Sequence, residues 1–453
     1  MVSECRLTNG IRVVSEQIAS SNSVAFGVWI AVGSQNEHIG NNGIAHMIEH
    51  MVFKGTEKRT AVQIADEIAE VGGNVDAYTS KEVTSYYAWV LPENLSKTID
   101  LLGDMLSHSQ FLEEEFEKEK SIVMEEIDMY KDSPEDVAHE MLQKKVWDPH
   151  PLGFLISGER QTVETFTREE VLQFMKDYYT ADRMILSVAG NFDREKVLAM
   201  LETAFGGFVS SSEKSPMTAS VVTPEFIFGS TPGSIQGSTS GLIPEFTPAI
   251  YIEEKDIEQT HINLAFDSIC STGKERYTFA VLNSILGGSV NSRMFMKIRE
   301  EMGIAYAIYS YGSTYQAAGL FHIYAGVNPS QVENCIAAMG EQIRIFAKEG
   351  PTAAELIRAK EQIKTDLMIQ YESTKGHMNS NAKELRLFGR VVPLSDTLAL
   401  VNQVKAEDVI AAMEQYFHLE KVGAGLVGNL DWIAEDHCSK IKKIDWIQSL
   451  LNL

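Results

Sequence analysis

Apolar and polar residues in the first part of the chain follow the periods of strands and then of helices. Alternating apolar runs at residues 10–14 and 23–32 predict two neighbouring strands. Residues 61–71 carry apolar positions at helical spacing and stop at Gly72-Gly73, which predicts an amphipathic helix. Residues 76–90 are rich in β-branched and aromatic side chains, so they predict a pair of strands.

Helical periodicity returns further along the chain. It covers residues 94–107 and then a long charged segment, residues 113–131, which stops near Ser133-Pro134. A strand pattern at residues 184–189 closes the series, and the unit ends near residue 210. Helices and strands mixed in this way predict an α+β fold.

The second part of the chain repeats the first. Residues 188–193 (VAGNFD) have a counterpart in residues 427–431 (VGNLD). The helical segments before them also match, residues 167–179 (TREEVLQFMKDYY) with residues 405–417 (KAEDVIAAMEQYF). Matched elements in matched order predict two homologous α/β-sandwich halves in tandem.

The repeat and the composition together predict the domain boundaries. Residues 1–210 form one α+β domain, and residues 249–453 form the second copy. Between them, residues 211–248 are rich in Gly, Ser, Thr and Pro, which is typical of a flexible linker. Within this linker, residues 227–246, which end in the second of two copies of Pro-Glu-Phe, are typical of an insertion, with an ordinary long loop as the alternative.

Composition excludes several classes of protein. With 44% hydrophobic and 23% charged residues, the 453-residue chain is expected to fold into soluble domains. A net charge of −24 argues against nucleic-acid binding, and neither a secretory signal nor an apolar run of membrane-spanning length is evident. Four scattered cysteines predict reduced thiols in the cytoplasm: Cys5, Cys270, Cys335 and Cys438.

The strongest chemical signal is the motif His46-x-x-Glu49-His50. The two histidines are four residues apart, so on a helix they project from one face and can supply two nitrogen ligands to zinc. Glu49 lies on the same face, where it can accept a proton from a water molecule. The flanking residues are apolar, and burying three polar groups without a use costs about 1–3 kcal/mol each. The motif therefore predicts a catalytic zinc site.

A third protein ligand is required, and the charged segment 113–131 supplies the candidates. Glu119 and Glu126 are seven residues apart and share a helix face with Ile122 and Val123, so their carboxylates are the ones expected to point inward. Residue spacing alone leaves the whole set open: Glu113, Glu114, Glu115, Glu117, Glu119, Glu125, Glu126 and Asp128.

Together, the motif and Glu126, 76 residues after His50, resemble the pitrilysin-type metallopeptidases with the inverted HxxEH zinc motif. The resemblance covers nearly the whole chain outside the insertion. It implies one zinc ion per chain, held by His46, His50 and Glu126, with Glu49 as general base. It also implies that Glu119 does not bind the metal itself but supports the site around it.

The same resemblance implies a substrate strand. Gly72-Gly73 and the residues that follow are similar to the edge strand to which the family adds a peptide by β-pairing. Asp76 stands where the family usually has Asn, and its carboxylate is expected to favour basic residues near the cut. The substrate-binding residues implied are Gly73, Asp76, Ala77, Tyr78, Thr79 and Ser80.

The second copy has lost the metal ligands. His46 to His50 align with residues 280–284 (AVLNS), and Glu119 and Glu126 align with Ala359 and Asp366. It carries Arg299 and Tyr306, which resemble an Arg and Tyr pair that completes the family's active site. From the residues alone, an ordinary surface Arg and a core Tyr are the favoured interpretation.

Three functional hypotheses follow. The first is a zinc endopeptidase that cleaves peptides or short unfolded segments. Because the family's chamber takes four α+β units and one chain has two, the resemblance implies a homodimer. The second is a non-catalytic assembly subunit of the same fold, which would usually lack part of the zinc motif. The third is a peptide-binding module that uses the edge strand without cleavage.

Overall fold

The computed structural model describes residues 2–211, 244–430 and 440–452. The chain forms two compact units. Unit 1 comprises the described residues of 1–128, 154–237 and 368–391, and unit 2 those of 129–153, 238–367 and 392–453. Most of the predicted insertion, residues 227–243, lies outside the described residues.

The first half of the sequence forms six strands and eight helices within its described residues. The strands are β1 (Val2–Arg6), β2 (Arg12–Gln17), β3 (Val24–Ile30), β4 (Asn74–Thr79), β5 (Thr84–Val90) and β6 (Met184–Gly190). The helices are α1 (Ile44–Val52), α2 (Ala61–Glu70), α3 (Leu95–His108), α4 (Glu113–Lys131), α5 (Pro134–Val146), α6 (Arg160–Thr165), α7 (Arg168–Tyr178) and α8 (Arg194–Phe205).

The second half follows a similar order of elements. Its strands are β7 (Ile250–Glu254), β8 (Thr260–Ser268), β9 (Ala305–Thr314), β10 (Gly319–Val327) and β11 (Gly423–Gly428). Its helices are α9 (Arg276–Leu286), a π-helix (Phe295–Glu301), α10 (Val332–Glu349), α11 (Ala353–Gln370), α12 (Thr374–Phe388), α13 (Leu394–Gln403), α14 (Ala406–Tyr416) and α15 (Lys440–Leu451).

The two sheets have the same strand order once β1 is set aside. In unit 1 the order is β1-β2-β6-β3-β5-β4, and in unit 2 it is β7-β11-β8-β10-β9. Each sheet has one parallel pair, β2 with β6 and β7 with β11, among the described strands. The strands β4 and β9 therefore occupy equivalent outer edges. The α+β class and the tandem repeat are confirmed.

Local sequence explains most of these elements. The helix α2 begins after Thr60, whose hydroxyl oxygen accepts a hydrogen bond from the backbone N–H of Gln63 in a capping box. The helix α7 begins in the same way, with Thr167 and Glu170. The helix α4 spans the predicted segment 113–131, and β4 and β5 form the predicted strand pair. The edge strand β1 was not among the predicted strands.

One helix in each unit comes from the other half of the sequence. The helix α12 covers the face of the unit 1 sheet that carries Trp29 and Ile185, and it buries Met378 and Leu385 there. In unit 2, α5 covers the sheet in the same manner. A sheet has two apolar faces to cover, and each unit completes its second face with a helix from beyond the predicted domain boundary.

Among the described residues, Cys5, Cys270 and Cys335 are free thiols. Cys438 lies outside them. None of the helices that the structure describes has the length and apolar character needed to cross a bilayer.

Candidate metal centre

The helix α1 presents its polar side chains from a buried position. Met47, Ile48, Met51 and Val52 are fully buried in the core of unit 1. Because these residues fix the rotation of the helix, His46, Glu49 and His50 lie together on its remaining face. The apolar spacing thus orients the motif.

A buried carboxylate caps the start of this helix. The side chain of Glu37 accepts hydrogen bonds from the amides of Gly43 (2.8 Å) and Ala45 (2.9 Å) and from the Asn42 side chain (2.8 Å). Gly43 has φ +100°, and a Cβ atom there would lie 2.7 Å from the Ser157 carbonyl oxygen. Burial raises the pKa of Glu37 to about 7, against the effect of its hydrogen bonds and of Lys81.

Two histidines of α1 and one glutamate of α4 converge. The His46 Nε2 atom is 3.8 Å from Glu126 Oε1, and the His50 Nε2 atom is 3.4 Å from Glu126 Oε2. The centroids of the two imidazole rings are 4.6 Å apart, and the ring planes meet at an angle of 71°. One donor atom from each of the three residues lies within 4.8 Å of the others. No other residues among those described form such a cluster of His, Cys, Asp or Glu.

These distances fit a tetrahedral zinc ion. Donor atoms about 2.0–2.1 Å from a tetrahedral zinc are separated by about 3.3 Å. The separations of 3.4 and 3.8 Å, which involve the two different oxygens of the Glu126 carboxylate, are close to that value, and one donor atom from each residue lies within 4.8 Å of the others. Two nitrogens and one carboxylate oxygen also leave a fourth position for substrate or water, which is the pattern of catalytic sites. The donor set therefore fits the metal that the sequence predicts.

Glu119 lies behind His50 and fixes its ring. Its Oε1 atom accepts from His50 Nδ1 at 2.8 Å, which leaves Nε2 directed at Glu126. The other carboxylate oxygen is 2.6 Å from the Lys54 ammonium group. Burial would raise the pKa of Glu119, but His50 and Lys54 hold it below its usual value. Glu119 is therefore a charged and oriented support for His50.

The two imidazoles lie in opposite electrostatic environments. Burial lowers the pKa of His46 to about 4, and the positive charge of His50 acts in the same direction. Burial also opposes a charge on His50, yet its hydrogen bonds to Glu119 and Glu126 raise its pKa to about 9. His46 is thus a neutral nitrogen donor, while the two carboxylates make the surroundings of His50 favourable for a cation.

Glu49 is held by the edge strand β4. The Thr79 hydroxyl, at the end of β4, donates to Glu49 Oε2 at 2.5 Å. Burial raises the pKa of Glu49, whereas the Thr79 hydrogen bond and His50 lower it. One carboxylate oxygen is thereby fixed, and the group stays within reach of the metal-binding cluster.

The strand β4 divides the predicted substrate-binding residues between two faces. Ala77 packs on the core beneath α1, and Thr79 points to Glu49. Asp76 and Tyr78 are exposed on the opposite face, where Asp76 accepts from the Tyr87 hydroxyl at 3.0 Å. Gly73 precedes the strand and Ser80 follows it. The carboxylate of Asp76 therefore points away from the metal-binding cluster.

Arg299 and Tyr306 lie in unit 2. Arg299 is in the π-helix, and its guanidinium lies over the Phe295 ring at 4.7 Å. Tyr306 is the second residue of β9 and is 76% exposed, so it is not a core tyrosine. It lines a surface pocket together with Glu258 and Asn328.

Residue spacing in the sequence did not predict three of the contacts around the candidate metal centre. Glu37 precedes the motif without any regular spacing, and Lys54 follows it in a segment that shows no charge pattern. The contact between Thr79 and Glu49 joins residues 30 positions apart on a strand and a helix. One sequence feature could have indicated the role of Glu37. It is an acidic residue shortly before a glycine at which a helix starts, and negative charge is favourable near a helix N-terminus.

Two sequence families match the chain in tandem. Residues 12–159 match the family described as Insulinase (Peptidase family M16), and residues 165–363 match the family described as Peptidase M16 inactive domain. The first match contains His46, Glu49, His50 and Glu126, and the second contains Arg299 and Tyr306.

Relatives of the chain are named zinc proteases. The chain is 39% identical over 419 residues to "Uncharacterized zinc protease YmxG" of Bacillus subtilis, which covers 92% of this chain and 96% of the relative. It is 35% identical to an "Uncharacterized zinc protease" of Rickettsia felis, with 91% and 94% covered.

Solved structures share the fold. A protease from Helicobacter pylori superimposes with a TM-score of 0.83 at 23% identity and covers 94% of this chain and 99% of its own. A chain of Complex III2 from Candida albicans gives a TM-score of 0.78 at 16% identity, with both chains fully covered. At these identities the likeness concerns the fold alone. The tandem matches and the relatives together confirm the resemblance seen in the sequence, and the chain belongs to peptidase family M16.

Proposed function

We propose that this chain is a zinc metalloendopeptidase that hydrolyses peptides or short unfolded segments. The observation that carries the proposal is the convergence of His46, His50 and Glu126 within 4.8 Å, with Glu49 on the same helix face. The names of the relatives support the same metal and reaction class.

Each residue has a separate role in this proposal. His46, His50 and Glu126 would hold one zinc ion per chain, which supplies a Lewis acid for the peptide carbonyl. Glu49 accepts a proton from the attacking water and returns it to the leaving amine. Glu119 keeps the His50 ring in place.

The substrate binds by pairing with the free edge of β4. This strand is hydrogen-bonded to β5 on one side only within the described sheet, so its other backbone groups are available to an extended peptide. The pairing would involve the backbone from Gly73 to Ser80. Side chains of the peptide would then alternate between the face of Thr79 and that of Asp76.

We further propose that two chains cooperate. Arg299 and Tyr306 of one chain would serve the metal site of a second copy, with the Tyr306 hydroxyl donating to the developing oxyanion and Arg299 holding the peptide. The high exposure of Tyr306 supports a role at a surface. A homodimer with two such sites follows.

Mixing two inactive variants tests this arrangement. Glu49→Gln and Tyr306→Phe proteins, combined under subunit exchange, are expected to regain roughly a quarter of wild-type activity, since half of the dimers are mixed and each has one intact site. No regain in any mixture would show that each chain completes its own site.

The central test of the proposed function is Glu49→Gln. The amide keeps the size of Glu49 but cannot accept a proton, so cleavage is expected to fall by about 10²–10⁴-fold while zinc remains bound. Cleavage is measured on a peptide library by mass spectrometry, and zinc by elemental analysis. Undiminished cleavage by the variant would remove Glu49 from the mechanism.

The same measurements separate the alternatives. An assembly subunit of this fold would neither cleave the library nor bind its peptides. A peptide-binding module would bind peptides equally well with and without zinc. Wild-type cleavage that is lost on zinc chelation and restored by added zinc fits the peptidase alone.

A further inference from the structure

We propose that α12, a helix from the second half of the sequence, positions the substrate strand β4 and so sets the affinity for peptide. The residues that carry this effect are Arg386, which is paired with Glu82, and Lys375, which contacts Tyr87. The inference rests on the proposed use of β4 as the peptide-binding edge.

The strand β4 has few constraints of its own. It is the outermost strand of its sheet, with β5 as its one hydrogen-bonded neighbour there. An edge strand of this kind can shift or twist unless side chains and its turn hold it. A bound peptide adds to the opposite edge, so the position of β4 sets the position of the peptide.

Arg386 holds the turn at the end of the strand. Its Nη1 atom lies 3.2 Å from Glu82 Oε2, and the two side chains are 14% and 6% exposed. Glu82 belongs to the turn that joins β4 to β5, which the Ser80 and Val83 backbones close with a hydrogen bond of 2.8 Å. The buried ion pair therefore connects α12 directly to the strand hairpin.

Lys375 holds the middle of the strand through Tyr87. The ammonium group lies 4.6 Å from the centre of the Tyr87 ring and 3.4 Å from its hydroxyl oxygen. That hydroxyl donates to Asp76 of β4 at 3.0 Å. Asp76 and Tyr87 are also opposite each other in the strand pair. A second contact thus runs from α12 to β4.

The helix is itself firmly attached to the inner strands. The Ser187 hydroxyl of β6 donates to the Met378 carbonyl at 2.9 Å, and Arg12 of β2 donates to the Gly389 carbonyl at 2.7 Å. His377 and Asn381 both bond to Glu16 at 2.9 Å. The helix α12 therefore acts as a brace between the inner strands and the outer hairpin.

The experiment measures peptide affinity directly, in the catalytically inactive Glu49→Gln background. Fluorescence anisotropy with a labelled peptide that the wild type cleaves gives Kd for the parent and for Arg386→Met. The variant is expected to bind the peptide about 10-fold more weakly, because the hairpin loses its fixed position. Zinc content and the melting temperature are measured on the same samples.

Matched variants distinguish positioning from general damage. Arg390→Met removes the same charge at an exposed position four residues further on and should leave Kd unchanged. Arg386→Lys should recover part of the affinity. Lys375→Met should weaken binding by a smaller factor and serves as the test if Arg386→Met does not fold.

The outcomes are separable from those of the proposed function. Unchanged Kd in folded Arg386→Met and Lys375→Met proteins would overturn the inference while leaving the peptidase activity intact. Equal weakening by Arg390→Met would also overturn it, since charge alone would then explain the result. If the wild type cleaves no peptide, the proposed function fails before this comparison begins.

Discussion

The two units keep the same contact between edge strand and helix, but with different chemistry. In unit 1, the Thr79 hydroxyl of β4 donates to Glu49 of α1 at 2.5 Å. In unit 2, the Ser310 hydroxyl of β9 donates to the Asn283 amide oxygen of α9 at 2.7 Å. Asn283 is the residue that aligns with Glu49. The scaffold thus places a polar side chain at this point in both units, whether or not it can act as a base.

The metal ligands show the opposite behaviour. Ala280 and Ser284 replace the two histidines in α9, and Asp366, which replaces Glu126, is exposed and accepts a hydrogen bond from Gln362. The N-cap residues of α1 and α9, Gly43 and Glu275, both lack a side-chain cap hydrogen bond, and α1 is capped instead by the buried Glu37. The comparison teaches that this fold does not need a metal, since one of its two copies keeps the elements but lacks the ligands.

The largest expected effect comes from removing the third ligand. Glu126→Ala takes away one of three donors. Zinc affinity should therefore fall by more than the roughly 10–100-fold loss that is typical when a residue hydrogen-bonded to a metal ligand is changed. Cleavage should fall with it. The equivalent change in the other unit, Asp366→Ala, should alter neither. Elemental analysis and a peptide assay measure both.

A neighbouring variant provides the control for this assignment. Glu125→Ala changes an exposed carboxylate one residue away and should keep its zinc. Loss of zinc from Glu125→Ala but not from Glu126→Ala would assign the third ligand to Glu125 instead of Glu126.

A smaller effect is expected from the contact that the two units share. Thr79→Val removes the hydrogen bond to Glu49 and should lower kcat by about 10-fold, with KM and zinc content nearly unchanged. Thr79→Ser should restore most of the rate. In the other unit, Ser310→Ala should affect stability alone. A rise in KM with constant kcat would instead assign Thr79 to peptide binding.

A last effect, on stability and not on activity, concerns Glu37, which caps α1 from outside the helix. Because the folded-state pKa is raised from 4.5 to about 7, the folded protein binds more protons than the unfolded chain between these values. This contribution to stability is complete below pH 4.5 and is lost as the pH rises through 7. It amounts to about 3 kcal/mol at most.

Glu37→Gln should remove that pH dependence. The free energy of unfolding, measured with denaturant from pH 5 to pH 8, is compared between wild type and variant. As the pH rises, the free energy of unfolding of the wild type is expected to fall relative to that of the variant. A difference that stays constant would place the pKa of Glu37 near its usual value.

Sequence patterns predicted the parts that depend on local periodicity. The span of α4, the strand pair β4 and β5, and the motif on α1 are features of neighbouring residues, so they could be inferred directly. The sequence also limited the candidates for the proposed third ligand to α4, and the assignment to Glu126 came from the family resemblance.

The remaining features depend on tertiary contacts. The direction of Asp76 follows from the pleat of β4 relative to α1, which residue identity does not reveal. The exchange of α5 and α12 depends on which sheet face each helix covers, and both helices have ordinary amphipathic patterns. Neither feature has a signature within a short window of sequence.

The helix exchange also means that the fold of unit 1 cannot be completed early in synthesis. Unit 1 includes residues 368–391, so its sheet cannot be covered on both faces until the ribosome has made most of the chain. Until then, the buried positions beneath α12, such as Trp29 and Ile185, face solvent. A nascent chain that ended at residue 210 would carry His46, His50 and Glu126 on α1 and α4, beside a sheet that lacks one of its covering layers.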